Sequence, residues 1–442
     1  QLFDEHPDVL ERYRARFTHI LVDEYQDTNA MQYRLIRQLA DRDRNICVVG
    51  DDWQAIYGFR HADMSNILQF ERDYTGARVV RLEQNYRSTR TIIQAANAVI
   101  RNNENQLYKE LWTHNPSGEK IQLVEAPTDF DEANFIGEEA LFLRRRYDLS
   151  DMAVLFRTGA QSRLIEEACL KLQIPYRLVG GYRFYDRSEV RDAIAYLRLI
   201  DNPDDAVSLQ RVINTPKRGI GAKALAQLAG YADRAEISVF RALSAEHETG
   251  LKGQVKAQAA AFHDAVIGFH ELKGAGGTAD LLKAVLERFG YRAQFDPKEK
   301  KDLSRLENLD ELVRVAEEFD RRGGEGRLKA FLDYLALLSD LDTDSTRDQI
   351  TLMSVHAAKG LEFPVVFIIG LEENLLPHYR ALDEIGGLEE ERRLFYVAMT
   401  RAKQLLYLTY ATERGHFGAR KSNPPSPFLA EIPAECIKRL QP

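Results

Sequence analysis

Residues 17–52 have the sequence FTHILVDEYQDTNAMQYRLIRQLADRDRNICVVGDD, and this stretch decides the fold class. Two short apolar runs, FTHILV (17–22) and ICVV (46–49), lead directly into acidic residues, with a helix-compatible segment between them. This order predicts a strand, a helix and a strand of a parallel α/β sheet. Ligands of such sheets bind beyond the carboxyl ends of the strands. The acidic residues at these ends are Asp23, Glu24, Asp51 and Asp52.

Three later apolar runs predict further strands of the same kind: ITLMSV (350–355), VVFIIG (365–370) and LLYLTYA (405–411). Between about Ser188 and Thr346, Leu, Ala, Arg and Glu recur at spacings of three and four residues, which predicts a mostly helical insertion. Its expected borders are the glycine turn Gly180-Gly181 and the polar stretch 340–348. The predicted layout is therefore α/β, helical, α/β.

The composition fits a globular chain of several domains, with 44% hydrophobic and 29% charged residues in 442. A net charge of −8 argues against blanket attraction to nucleic acid but leaves room for a local basic groove. The longest apolar stretch, 363–371, is too short to span a bilayer, so no membrane partner and a cytoplasmic location are expected. Three separated cysteines suit a reducing compartment, and each is expected to be a buried small hydrophobe.

The segment LVDEYQDTNAMQ (21–32) places a carboxylate pair at a strand end. In a nucleotide hydrolase, the first carboxylate would hold Mg²⁺ and the second would orient or deprotonate the attacking water. Asp23 and Glu24 are therefore candidates for these two tasks. The alternative is that they are ordinary turn formers.

The segment VVGDDWQAIYGFRHAD (48–63) places Gln54 just past a strand end, where its amide could bind a terminal phosphate. Tyr57, Phe59 and Arg60 follow. Aromatic rings interleaved with arginine suit single-stranded nucleic acid, because rings stack on any base while a guanidinium binds phosphate. The alternative is that Tyr57 and Phe59 belong to the core.

LEQNYRSTR (82–90) offers Tyr86 and Arg87 in a polar turn before a helix. An exposed tyrosine beside an arginine could stack on a base and reach a phosphate. A solvated helix start, capped by Ser88 or Thr89, is equally compatible with the sequence.

SVHAAKGLEF (354–363) lies between two predicted strands, so His356, Lys359 and Glu362 could contact nucleic acid or a nucleotide sugar. The alternative is a surface histidine in a charged turn.

EEERRLFYVAMTRAK (389–403) predicts a helix that presents Arg393, Val397 and Arg401 on roughly one face. Such an arginine could stabilise charge on a transferring phosphoryl group, or it could pair with Glu389–Glu391 on a solvated face.

Taken together, the identity, order and spacing of these segments resemble the superfamily 1 DNA helicases of the Rep, UvrD and PcrA group. The resemblance covers essentially the whole chain and implies RecA-like P-loop NTPase motor domains, with parallel sheets flanked by helices and a mostly helical inserted domain. The matching segments are DEYQDTN, GDDWQAIYGFR, QNYRST, HAAKGLEFPVVF, EERRLFYVAMTRA, LFRTGAQSR and NTPKRGIG.

The resemblance also implies the ATP site. Asp23 would bind Mg²⁺, Glu24 would activate water, and Gln54 would sense the γ-phosphate. Tyr86 would stack on adenine and Arg87 would touch the γ-phosphate. Glu362 would bind the ribose, and Arg401 would act as the arginine finger.

On the DNA side, the resemblance implies a single-strand track lined by Tyr57, Phe59, Arg60, His356 and Lys359. In the helical insertion, it implies a segment that grips duplex backbone, formed by Thr215, Lys217, Arg218, Gly219 and Gly221. Two positions depart from the family pattern, because Phe59 stands where tryptophan is usual and Gly159 where asparagine is usual.

Four segments are expected from the resemblance. Residues 1–83 would be the C-terminal part of the first motor domain, and 188–346 the helical inserted domain that contacts duplex DNA. Residues 84–187 and 347–442 would together form the second motor domain and the tail.

The implied function is ATP-dependent unwinding of DNA with 3′ to 5′ translocation on single strands. Expected partners are single-stranded DNA, single-strand/duplex junctions, and proteins of replication or repair. The motif GxxxxGK[ST], whose amides cradle phosphates, occurs nowhere in the chain. We therefore expect a C-terminal portion of a helicase that hydrolyses ATP poorly alone. The alternatives are a non-enzymatic DNA-binding accessory module that has lost the motor and, more weakly, a helicase-nuclease subunit.

Overall fold

The computed structural model describes residues 2–180, 183–244, 246–274, 276–324, 328–339, 348–416 and 419–440. Gly181 of the predicted glycine turn and residues 340–347 of the predicted polar border lie outside these ranges. The chain divides into two compact units. The first comprises 1–157, 348–413 and 422–442, and the second comprises 158–347 and 414–421. The four-segment division expected from the sequence stays a prediction.

The described helices and strands alternate along much of the chain. In chain order the α-helices are α1 (Leu2–Glu5), α2 (Pro7–Arg16), α3 (Ala30–Ala40), α4 (Ser65–Leu68), α5 (Phe70–Asp73), α6 (Arg90–Ile100), α7 (Asp129–Leu143), α8 (Ser162–Lys171), α9 (Ser188–Asp201), α10 (Ala206–Val212), α11 (Ala222–Ala235), α12 (Gly253–Leu272), α13 (Thr278–Arg288), α14 (Lys300–Phe319), α15 (Leu328–Ser339) and α16 (Gly387–Met399). The strands are β1 (Ile20–Val22), β2 (Ile46–Val48), β3 (Ile121–Thr128), β4 (Met152–Phe156), β5 (Tyr176–Val179), β6 (Ile350–Ser354), β7 (Phe363–Ile368), β8 (Ala402–His416), β9 (Ala419–Ser422) and β10 (Ile437–Leu440).

The strand, helix and strand predicted within 17–52 are β1, α3 and β2. β1 and β2 pair in parallel, with Leu21 opposite Cys47. α3 begins at a capping box, because the Asn29 side chain accepts from the amides of Met31 and Gln32 while the Gln32 side chain accepts from the amide of Asn29. Cys47 is exposed, so the expectation that every cysteine is buried was wrong for this residue.

The larger sheet of the first unit confirms the predicted α/β class. Its strands follow the order β10-β3-β8-β7-β4-β6, and each of these pairs is parallel. Every residue of β4 is buried, as expected for a central strand of a parallel sheet that is covered on both faces. Helix α7 packs against β3 and α16 against β7, and α6 packs against α16. The sequence predicted β6, β7 and β8 but missed β3, β4 and β10.

In the second unit, the described residues between Ser188 and Ser339 form the helices α9–α15 and no strand, as the residue spacing predicted. Their core gathers large side chains such as Phe184, Tyr196, Leu282 and Phe331. Arg163 of α8 is fully buried among carboxylates. It pairs with Glu311, with Glu167 at 3.0 Å and with Glu318 at 3.5 Å.

Among the residues that the structure describes, no helix is both long enough and apolar enough to cross a membrane.

Candidate functional site

The carboxylate pair lies in a tight turn directly after β1. Asp23 Oδ1 accepts a hydrogen bond from the Glu24 amide at 2.9 Å. Glu24 has a left-handed backbone with φ 51°, which is uncommon for a residue with a side chain and clusters at functional sites. Glu24 Oε2 accepts from Gln26 Nε2 at 2.5 Å and lies 3.2 Å from Lys359 Nζ.

These carboxylates fit a magnesium nucleotide. Both side chains are exposed and present the hard oxygen ligands that Mg²⁺ prefers. The described part of the chain has no cluster of three or more potential metal ligands. Mg²⁺ commonly binds one or two carboxylates together with phosphate oxygens and water, and Asp23 would be the carboxylate of such a site.

Gln54 ends a 3-10 turn at residues 52–54, after β2. Its Nε2 donates to Asp51 Oδ2 at 2.7 Å, and its Oε1 accepts from an Arg401 guanidinium nitrogen at 3.4 Å. The structure therefore brings together the predicted phosphate sensor and the predicted arginine finger.

Arg401 follows the C-terminal end of α16 and is only 2% exposed. Its guanidinium donates to the carbonyl oxygens of Val397 at 3.0 Å and Leu361 at 3.2 Å. Burial, followed by repulsion from Arg87, lowers the pKa of Arg401 to about 10. An anion near Arg401 and Arg87 would relieve that cost, which favours a phosphate-binding role.

Three charged residues of α16 (Glu391, Arg392 and Arg393) are buried, while Glu389 and Glu390 are partly exposed. The helix therefore does not present the fully solvated face of the alternative interpretation. Arg393 is 6% exposed and lies 3.2 Å from Glu389. Glu391 binds Arg157 at 2.8 Å, so these ion pairs fix the helix that leads to Arg401.

Tyr86 and Arg87 lie on the turn before α6. Tyr86 is 78% exposed, with its hydroxyl donating to Gln84 Oε1 at 2.9 Å. Arg87 Nε donates to Glu362 Oε2 at 2.5 Å, and Lys403 Nζ lies 2.8 Å from Glu362 Oε1. Hydrogen bonds from Lys403 and Arg87 lower the pKa of Glu362 to about 2. The turn thus offers an exposed ring next to an anchored arginine.

The predicted single-strand residues form one cluster. The rings of Tyr57 and Phe59 are 5.8 Å apart, and those of Phe59 and His356 are 5.1 Å apart. The Arg60 guanidinium lies 5.2 Å and 5.4 Å from the two aromatic ring centres. Phe59 is 37% exposed, so the core interpretation was wrong for it. An exposed ring beside a cation, flanked by the partly exposed rings of Tyr57 and His356, suits stacked bases.

Lys359 lies between this cluster and the carboxylate turn. Its side chain is buried, pairs with Asp27, and donates to the Gln54 carbonyl at 2.9 Å. Its Nζ also lies 5.2 Å from the Tyr57 ring centre. Lys359 therefore connects the carboxylate turn with the aromatic cluster. Its predicted contact with DNA stays a prediction.

The turn 215–221 belongs to the second unit. Arg218 donates to the carbonyl oxygens of Val212 at 2.9 Å and Phe289 at 3.1 Å, and to the Tyr196 hydroxyl at 2.8 Å. Its guanidinium is therefore committed to holding the turn. The exposed groups here are Lys217, Gly219 and Gly221, while Thr215 is partly exposed. The predicted duplex contacts of these residues stay predictions.

Two side chains that hold the turns carrying Gln54 and Tyr86 were not predicted from the sequence. Lys109 binds Asp52 at 2.6 Å and also contacts Asp51. Asn115 Nδ2 donates to the carbonyl oxygens of Tyr86 at 3.2 Å and Ser88 at 3.0 Å. Both lie in the segment LYKELWTHNP (107–116), which carries no motif. The one unusual feature of this segment is Trp112, an aromatic residue among polar ones, which does not point to Lys109 or Asn115.

Comparison with known families assigns most of the chain. The UvrD-like helicase C-terminal domain matches residues 80–413, and the UvrD/REP helicase N-terminal domain matches residues 1–75. The chain belongs to the UvrD-like helicase family.

Two relatives are each named ATP-dependent DNA helicase PcrA. That of Bacillus subtilis (strain 168) is 46% identical over 450 residues, covering 100% of this chain and 61% of the relative. That of Staphylococcus epidermidis RP62A is 46% identical over 442 residues, covering 99% and 61%. The chain thus spans 61% of the length of these relatives.

A solved structure described as the C-terminal domain of a possible DNA helicase from Lactobacillus aligns with a TM-score of 0.33 at 10% identity, covering 80% of this chain and 98% of that chain. This likeness is too low to carry an argument.

Proposed function

We propose that this chain belongs to an ATP-dependent DNA helicase that moves 3′ to 5′ along single-stranded DNA and unwinds duplex. The observation that carries the proposal is the pair of contacts made by Lys359, with Glu24 and with the ring of Tyr57. Through these contacts, one side chain of the first unit connects the candidate hydrolytic carboxylate with the candidate base-stacking cluster. The names of the relatives support the same function.

In the proposed ATP site, Asp23 would hold Mg²⁺, which would supply positive charge next to the phosphates. Glu24 orients or deprotonates the attacking water. The amide of Gln54 and the guanidinium groups of Arg87 and Arg401 bind the terminal phosphate. Tyr86 stacks on the base, and Glu362 binds the ribose.

In the proposed DNA site, Tyr57 and Phe59 stack on bases, Arg60 binds backbone phosphate, and His356 lines the same track. The turn with Lys217, Gly219 and Gly221 contacts the duplex beside the junction, where glycines allow close approach of the backbone. Proteins of replication or repair are the proposed partners, and the cytoplasm is the proposed location.

We also propose that the 442 residues alone hydrolyse ATP poorly, because they contain no GxxxxGK[ST] loop. The same absence favours an accessory module without motor function. Glu24, Gln54 and Arg401 argue against that module, since a chain without hydrolysis has no need to keep the three together.

The test is single-strand-stimulated ATP hydrolysis by this chain, with Glu24→Gln as the control for contaminating activity. No turnover is expected. Turnover that disappears in the Glu24 variant would overturn the proposed inactivity and support the role of Glu24.

A second assay separates the helicase from the accessory module. A protein in which this chain is joined to a phosphate-binding loop should hydrolyse ATP. Glu24→Gln should abolish that turnover and leave nucleotide binding intact. An accessory module would show no hydrolysis in either form.

A further inference from the structure

Lys109 is held by three consecutive residues of the turn that carries Gln54. Its ammonium contacts the carboxylates of Asp51 and Asp52 and lies 4.6 Å from the centre of the Trp53 ring. The Lys109 side chain is 16% exposed and that of Asp52 only 1%. The Leu107 amide also donates to Asp52 Oδ2 at 2.8 Å. The segment 107–116 therefore holds this turn through two residues, the Lys109 side chain and the Leu107 amide.

The Asp51 carboxylate passes this constraint to Gln54. Asp51 Oδ1 contacts Lys109 and accepts from the Trp53 amide at 3.0 Å. Its other oxygen accepts from Gln54 Nε2 at 2.7 Å. Asp51 is therefore fixed from one side by a cation and oriented towards Gln54 on the other.

The two ends of the Gln54 amide face opposite charges. The nitrogen faces the Asp51 carboxylate, and the oxygen faces the Arg401 guanidinium at 3.4 Å. A flipped amide would bring its oxygen to a carboxylate and its NH₂ group to a guanidinium, and both contacts would be repulsive. Because an amide nitrogen carries two N–H groups, this orientation leaves one of them for a phosphate oxygen.

We propose that Lys109 is a positioning residue that acts through Asp51 to fix the amide orientation of Gln54 towards a terminal phosphate. The proposal rests on the proposed function, in which Gln54 meets that phosphate. Lys109 itself touches neither nucleotide nor water in this mechanism. Without its ammonium, Asp51 and Asp52 would be adjacent partly buried carboxylates that repel each other, and Asp51 would move away from Gln54.

The test uses the 442-residue chain with ¹⁵N-labelled glutamine, and the Gln54 side-chain NH₂ resonances are assigned by their loss in Gln54→Ala. Lys109→Met should shift these resonances and remove the signature of the hydrogen bond to Asp51. Lys109→Arg, which keeps the charge, should retain them. Where Lys109→Met fails to fold, Asp51→Ala, which removes both accepting oxygens, gives the same expected loss from the other side of the contact.

Arg101→Met is the matched control. It removes a cation from an exposed pair with Glu110, in the same part of the chain. Its spectrum should keep the Gln54 resonances, and the buried amide of Gln122 on β3, which donates to the Lys120 carbonyl, should report an intact fold in every variant. Unchanged Gln54 resonances in folded Lys109→Met, or an equal shift in Arg101→Met, would overturn the proposal.

Because this measurement needs no nucleotide, it is independent of the proposed function. Absence of hydrolysis in the loop-containing protein would remove the helicase function and leave the Lys109 result standing. In that protein, Lys109→Met should lower kcat more than it raises KM for ATP. Combining it with Gln54→Ala should be no worse than Gln54→Ala alone. Additive losses in kcat would show that Lys109 does not act through Gln54.

Discussion

Phe59 is the residue at which the candidate DNA surface is most open to a test. Its ring is exposed and lies beside His356 and Arg60. We expect Phe59→Ala to weaken binding of single-stranded DNA by about 1–3 kcal/mol, or roughly 5- to 150-fold in Kd, because a base loses its stacking partner. Fluorescence anisotropy with a labelled oligothymidine measures this change.

Phe142 provides the matched control for that experiment. It is a more exposed phenylalanine, on α7, away from the cluster in the sequence. Phe142→Ala should leave the affinity for DNA unchanged. An equal loss of DNA affinity in the two variants would mean that any exposed phenylalanine contributes in this way. Phe59 would then have no specific role in binding single-stranded DNA.

The lowered pKa of Glu362 predicts that the thermal stability of the protein depends on pH. Lys403 and Arg87 lower its pKa to about 2 from an ordinary 4.5. The unfolded chain therefore binds the proton more readily. The stabilisation is fully present above pH 4.5 and is lost as the pH falls towards 2. Glu362→Gln should lower the thermal midpoint at pH 7, and this difference should shrink progressively below pH 4.5.

Thermal unfolding of both proteins across pH 3 to 7 checks this expectation at constant ionic strength. The effect is modest, because the side chain is partly exposed and solvent screens the pairs. A difference in midpoint that stays constant down to pH 3 would show that the two cations do not act on Glu362.

At the element scale, the close packing at the start of α16 requires a residue without a side chain at position 387. A Cβ at Gly387 would lie 1.9 Å from the Ala381 carbonyl oxygen. Gly387→Ala must displace backbone at the start of the helix that leads to Arg401. We expect it to destabilise the protein by about 1–3 kcal/mol, as overpacking does, measured by urea denaturation.

Replacement of Gly268, within α12, by alanine should change the stability of the protein in the opposite direction. A Cβ there meets nothing within 4 Å. Gly268→Ala should stabilise the chain by about 0.5–1 kcal/mol, because alanine loses less conformational freedom than glycine in a helix. Destabilisation by both substitutions would mean that the contact at Gly387 is not the cause.

The elements that the sequence predicted are those whose pattern is local. β1 and β2 were found because apolar runs end in acidic residues, and both carry candidate site residues at their carboxyl ends. β4 has the sequence MAVLF, which fits a buried strand and a helix segment equally well. Lys109 was missed for a different reason, since its partners lie more than fifty residues away. Only the fold brings such charges together.

At the scale of the whole molecule, each unit has its own core. The first is built on buried strand residues such as Val154 and Phe367, and the second on helix residues such as Leu282 and Phe331. We expect calorimetry to resolve two unfolding transitions. Arg163→Met should lower only the midpoint of the second unit, and Gly387→Ala only that of the first unit.

The expected cost of Arg163→Met is about 3–5 kcal/mol, because three buried or partly buried glutamates lose their cation. Arg146→Met is the control, since its pair with Glu119 is exposed and screened by solvent and should contribute little to stability. A single transition that shifts with either substitution would show that the two units unfold together.

Cys47 has a practical consequence for experiments on this chain. Of the three cysteines, only Cys47 is exposed, while Cys169 and Cys436 are buried. A maleimide dye should therefore attach at one position without any engineered cysteine. That position is on β2, seven residues before Gln54, so a single fluorophore would report on motion near the turn that carries Gln54.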